Sequence, residues 1–245
     1  MDTKLSVNVN KIATLRNSRG TNVPHLLDWC HKIVSYGAHG ITAHPRADRR
    51  HITPQDALDI CREIKTVETN LEGDIREEFL ELVLKAMPTQ CTLVPVKPGE
   101  ITSNYGFDCK TWGFLLKPII LKLKSEGIRV SVFVEAHDLE NLDYVKETNA
   151  DRIEIFTEPY AHAFQQNHCQ PEIDHIRKLA FKAKELGLGV NAGHDLSSHN
   201  LPLLKQSVPH LAEVSIGHQI MADALEWGME NTIKLYLSIL SEGIK

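Results

Sequence analysis

Thirteen histidines are spread through 245 residues, and several stand where proton chemistry would need them. Imidazole is the side chain whose ordinary pKa lies near neutrality, so it can both take and give a proton. His44 closes the run Gly40-Ile41-Thr42-Ala43 and is followed by Pro45-Arg46, with His51 shortly after. His194 closes Val190-Asn191-Ala192-Gly193, and His218 follows Ile216-Gly217. Two carboxylates share this setting. Glu72 ends a mostly apolar run, where loss of water would raise its pKa and suit it to act as a base. Glu154 is flanked by Ile153 and Ile155. An inward carboxylate there is costly unless it has a task or a partner, such as a salt bridge to Lys11 or an arginine. Lys11 could form an imine with a ketone, or simply pair with a charge.

Two groups of residues suit an anion. Arg46 offers a planar fork of donors and His51 one more, although a solvated charge cluster would read the same way. Gly193-His194 and Gly217-His218 place glycines where backbone N–H groups could approach a phosphate, or where the chain only needs tight turns. Two such zones suggest two phosphorylated substrates or one bisphosphate. There is no HxH, no HExxH and no Asp-rich cluster, so no metal is expected.

The elements that must position these groups follow from the hydrophobic pattern. Short runs rich in Val, Ile and Thr at 5–8, 40–44, 68–72, 92–96, 129–135, 152–157, 189–193 and 213–217 read as strands covered on both faces. Helical spacing recurs between them. One helix opens at Thr53-Pro54-Gln55-Asp56, with Thr53 as N-cap and Ala57, Ile60 and Ile64 as its apolar stripe. Others span 77–87, 112–123 and 173–186, and a last one runs from about 221 to 239. Gly127 and Gly187 read as helix ends. Eight strands alternating with helices predict an α/β fold, a (β/α)₈ TIM barrel. A doubly wound sheet is the runner-up. No GxGxxG follows the first strand and there is no GxxxxGK[ST], which argues against a nucleotide-binding version.

In a barrel, functional residues come from the C-terminal ends of strands and the loops that follow. Those positions hold Asn8, Asn10, Lys11, Arg16 and Arg19; His44, Arg46 and His51; Asn70 and Glu72; Thr102; Glu135; Glu154 and Glu158; His194; and His218. Any one of them could be an ordinary polar loop residue. Their recurrence at one end of nearly every strand is what argues for a site. Loop 96–109, with Gly99, Asn104 and Gly106, reads as a lid.

Composition narrows the class. The net charge of −5 argues against nucleic acid. No stretch approaches the ~18 apolar residues of a membrane span, and the N-terminus lacks the apolar core of a signal peptide. Five cysteines without a CxxC pair read as thiols in a reducing cytosol. The expectation is one cytoplasmic catalytic domain over 1–245.

Several segments resemble the pyridoxine 5′-phosphate synthase family. They are Asn8-Val9-Asn10-Lys11 through Arg19-Gly20, Gly40 through Arg46 with Asp48-Arg49-Arg50-His51-Ile52, Asn70-Leu71-Glu72, Val190-Asn191-Ala192-Gly193-His194 and Ile216-Gly217-His218. The resemblance implies a TIM barrel with extra helices, assembled as a homo-octamer of dimers and needing no cofactor. It implies the transferase-class condensation of 3-amino-2-oxopropyl phosphate with 1-deoxy-D-xylulose 5-phosphate to pyridoxine 5′-phosphate, phosphate and water. Carried over by position, His44 and Glu72 are proton acceptors, His194 is the proton donor, and Glu154 stabilises the transition state. Asn8, Arg19, Asp195, Gly217 and His218 fall at the aminoacetone phosphate site. Asn10, Lys11, Arg46, His51 and Thr102 fall at the deoxyxylulose phosphate site. Three positions depart from the usual pattern: many members have Asp and His where this chain has Asn10 and Lys11, and Gly where it has Asp195.

Overall fold

The computed structural model describes residues 3–96, 105–208 and 210–241. Thr102, and residues 97–104 of the expected lid, lie outside the described residues. Eight strands pair in sequence order, all parallel, and the last pairs with the first to close a barrel. They are β1 Lys4–Asn8, β2 Gly40–Ala43, β3 Glu68–Gly73, β4 Gln90–Leu93, β5 Arg129–Glu135, β6 Arg152–Phe156, β7 Gly189–Gly193 and β8 Leu211–Ile216. No helix of the described residues is long and apolar enough to cross a membrane.

Alternation decides what faces where, because successive strand side chains point to opposite faces. Leu5, Val7, Ile41, Leu71, Cys91, Val130, Val132, Ile153, Ile155, Val190 and Val214 are buried in one apolar cluster with the surrounding helices. The alternate positions face the barrel axis, and apart from Phe133, Phe156 and the glycines they are polar. Branched aliphatics commonly fill such an interior; here Gln90 reaches across to Glu213 (3.3 Å) and Thr92 to Glu154 (3.3 Å). The one Thr92 hydroxyl proton is shared between Glu154 and Asn70 Oδ1 (3.1 Å), and Ser6 meets Thr42 (2.7 Å). At the N-terminal end of the barrel, Glu68 takes both Lys4 and Arg129 as ion-pair partners. Burying polar groups costs stability unless they are bonded, and these groups bond one another; the Ser131 hydroxyl, also buried, has no partner among the described residues.

Among the described residues, eleven helices surround the barrel. Those that matter here are α1 Asn10–Asn17, α3 Pro54–Glu63, α7 Glu158–Gln165, α9 Leu201–Ser207, α10 His218–Trp227 and α11 Met229–Ser241, numbered in chain order. The Thr53 cap is present as a full capping box with Asp56. Gly127 and Gly187 adopt the positive φ (81° and 73°) of helix ends. Two expectations need correction. The strand expected at 92–96 ladders two residues earlier, as Gln90–Leu93. The single last helix is two helices, broken at Gly228 with φ 76°.

Candidate active site

At the C-terminal end of the barrel lies a cavity of about 390 Å³. Glu72 and Glu154, on β3 and β6, and His44 and His194, directly after β2 and β7, all line it. His44 Nδ1 is 3.8 Å from Glu72 Oε2. Asn8 Nδ2 donates to the same carboxylate oxygen (3.3 Å), and Ser215 Oγ donates to Oε1 (3.4 Å). The Asn8 amide is itself oriented, because its oxygen accepts from Asn10 N (3.0 Å). His44 Nε2 is buried, and among the described residues it has no hydrogen-bond partner. Burial pushes the Glu72 carboxyl up to about 7, with the nearby Glu213 adding to the effect. Burial, with the charge of Arg46, holds His44 well below its ordinary value. Burial thus favours the neutral form of both partners, an imidazole beside a carboxyl whose proton is held more tightly than usual.

Glu154 is 2% exposed, and Thr92 donates to it. Among the described residues it makes no ion pair, so the expected bridge to Lys11 or an arginine is not what holds it. Burial raises its pKa well above the carboxylate range, and the charges of Glu72 and Glu213 raise it further. Burial thus favours its neutral form. A Cβ built at Gly193 would fall on Glu154 Oε1, so the glycine makes room for the acid.

His194 packs against Phe133 and Phe156 (ring centroids 5.0 and 5.3 Å away). Burial lowers its pKa to about 4, so the unliganded ring is neutral. A bound dianionic ester beside it would raise that value. His194 and Asp195 both have positive φ (78° and 55°), a region that L side chains rarely adopt.

The cavity is flanked by two helix N-termini. Asn10 and Lys11 open α1, and His218 opens α10 directly after Gly217. A helix start presents unsatisfied N–H groups and a positive dipole end, both favourable to an anion. Gly217 lies so close to Asn8 that a Cβ would be 3.0 Å from Asn8 Cβ. On the other flank, Arg46, Arg50 and His51 line the wall. His51 Nδ1 accepts from Ile52 N (2.9 Å), so the neutral ring carries its proton on Nε2. Burial, with Arg46 next, lowers His51 to about 4. Arg16 grips Asp56 with two bonds (2.6 and 2.8 Å), tying α1 to the start of α3 and steadying the His51 loop.

Of the residues singled out in the sequence, Asn8, Asn10, Lys11, His44, Arg46, His51, Glu72, Glu154, His194, Asp195, Gly217 and His218 all line this one cavity. Arg19 does not; it is exposed beyond the end of α1. Glu135 is engaged with His137 (3.1 Å) and is also outside the lining. Lys11 is exposed at the rim, without the desolvation that would suit an imine-forming amine. Asn10 Oδ1 accepts from His44 N (2.9 Å), so this amide fixes the end of β2 as well as facing the cavity. Sequence reasoning missed Thr92, Ser215, Phe133 and Phe156. All lie inside strands, and the signal that finds them is inward alternation from Glu72, Glu154 and Gly217.

Fold and cavity together define a (β/α)₈ barrel whose catalytic-type acids and imidazoles sit between two anion-friendly flanks. The family described as pyridoxal phosphate biosynthesis protein PdxJ matches residues 5–242. Similar curated proteins are the pyridoxine 5′-phosphate synthases of Leptospira biflexa (49% identical, 98% of each chain), Cytophaga hutchinsonii (49%, 98% of this chain and 100% of the relative) and Flavobacterium johnsoniae (48%, 97% and 99%). The chain belongs to the PdxJ family. Among solved structures it is similar in fold to a 3-keto-L-gulonate-6-phosphate decarboxylase from Vibrio cholerae (TM-score 0.69, 7% identical, 98% of each chain). It is also similar to a phosphoribosyl anthranilate isomerase from Thermotoga maritima (TM-score 0.61, 12% identical, 97% and 98%).

Proposed function

We propose that the chain is a pyridoxine 5′-phosphate synthase, joining 3-amino-2-oxopropyl phosphate to 1-deoxy-D-xylulose 5-phosphate with release of phosphate and water. The observation that carries this reading is the convergence of His44, Glu72, Glu154 and His194 on one cavity. One ester phosphate sits at Gly217 and His218 with Asn8, and the other at Arg46 and His51 with Asn10 and Lys11. The amine of one substrate attacks the ketone of the other, and the imine forms with loss of water. Glu72 and His44 take protons from the condensing groups, and His194 gives one to a departing oxygen. The neutral Glu154 carboxyl donates a hydrogen bond to charge developing on oxygen. Holding two reactants in one pocket supplies much of the rate before any proton moves.

We further propose that the barrel works as one cytoplasmic catalytic domain within a homo-octamer. Arg19, outside the lining of its own cavity, then serves the site of a neighbouring protomer.

The test is turnover with both phosphates. Glu72→Gln and His194→Ala should each lower product formation by at least about a thousandfold, within the range of lost acid–base catalysis. Phosphate-ester affinity, by calorimetry, should stay within a few fold. Unchanged turnover in either variant rejects the assignment.

A further inference from the structure

Thr157 stands at the N-cap of α7, where a threonine hydroxyl ordinarily accepts a bond from its own helix. It makes no such bond. The side chain is fully buried, and its Oγ1 lies instead 2.6 Å from Gly193 O and 2.5 Å from His194 O, across the gap between β6 and β7. One hydroxyl proton serves the two carbonyls in alternation. Thr157 N donates to Gly193 O as well (3.0 Å). From the other side, Asn200 Nδ2 donates to Asp195 O (3.0 Å). Three successive carbonyls are thus held, across the two residues that take positive φ. Such backbone persists only where its surroundings over-determine it. Among the described residues nothing hydrogen-bonds the His194 ring. Its direction is set by this backbone and by the two phenyl rings.

We propose that Thr157 is a positioning residue for His194, its hydroxyl latching the left-handed turn that carries the imidazole into the cavity. The proposal rests on His194 acting in catalysis, and Thr157 itself lies outside the cavity lining. A misplacement of about 1 Å in a reacting group can cost on the order of a hundredfold in rate.

Thr157→Val removes the hydroxyl and keeps the shape; Thr157→Ser keeps the hydroxyl. The Val variant should lose on the order of 10- to 100-fold in kcat, with KM for each phosphate within about threefold. The Ser variant should stay near wild type. NMR of the labelled His194 ring gives a readout independent of activity. It should titrate near 4 in wild type and Ser, and move toward 6.5 in Val as the ring leaves its pocket. If Val does not fold, Thr157→Ala replaces it with the same expectations. A Val or Ala variant with wild-type kcat and an unshifted ring overturns the proposal. Equal losses in Ser also overturn it, because they would assign the effect to methyl packing. His194→Ala is assayed alongside. If it keeps turnover, the catalytic reading of His194 falls, and the ring titration still decides the latch.

Discussion

At the scale of single residues, the site works by taking titratable groups out of water. Glu72 is the clearest case, since burial moves it from an ordinary 4.5 to about 7. The folded state therefore binds this proton more tightly than the unfolded state does. That contribution to stability is full below about 4.5 and is lost as pH rises through 7. Above 7 the ionised carboxylate costs up to about 3 kcal/mol, from the size of the shift. Glu72→Gln should accordingly be more stable than wild type at pH 8, with the gain shrinking as pH falls toward 4.5, while turnover is lost. Urea denaturation at several pH values measures this. Glu72 and the strand-end histidines were legible in the sequence because each closes an apolar run. Ser215 and Thr92 were not, because a small hydroxyl inside a strand signals nothing until the register shows which way it points.

At the scale of elements, eight short apolar runs were enough to read the barrel, and Thr53 with Pro54 enough to place the start of α3. Two boundaries misled for physical reasons. Val94 and Val96 continue the apolar pattern past the point where β4 stops laddering, and they pack with Phe133 and Phe156. Apolar spacing also runs on through Gly228, since α10 and α11 both bury a face, but the glycine turns the chain between them. The inward polarity of the strands was hidden by their outward aliphatics. Strand geometry also explains why β7 ends in glycine: any side chain at 193 collides with Glu154. Gly193→Ala should displace that carboxyl, lowering kcat by about tenfold or more while leaving the thermal midpoint within a few degrees. A circular dichroism melt beside the turnover assay checks both.

At the scale of the whole molecule, the barrel gathers groups that are more than two hundred residues apart, from Asn8 to His218, onto one rim. Arg19 is the residue that one chain does not bring there, and the proposed octamer gives it a place. Arg19→Ala and His194→Ala proteins, each inactive alone, should regain part of the wild-type turnover when mixed and reassembled; no recovery would rule out a role for Arg19 in a neighbour's site. The fold alone does not assign chemistry, since barrels of the same shape carry decarboxylase and isomerase activities. The most direct measurement is therefore the reaction itself. The protein is mixed with both phosphorylated substrates, and inorganic phosphate and the pyridine chromophore are followed together. One phosphate should appear for each pyridine ring formed. Tight binding of both esters with neither product would contradict the account.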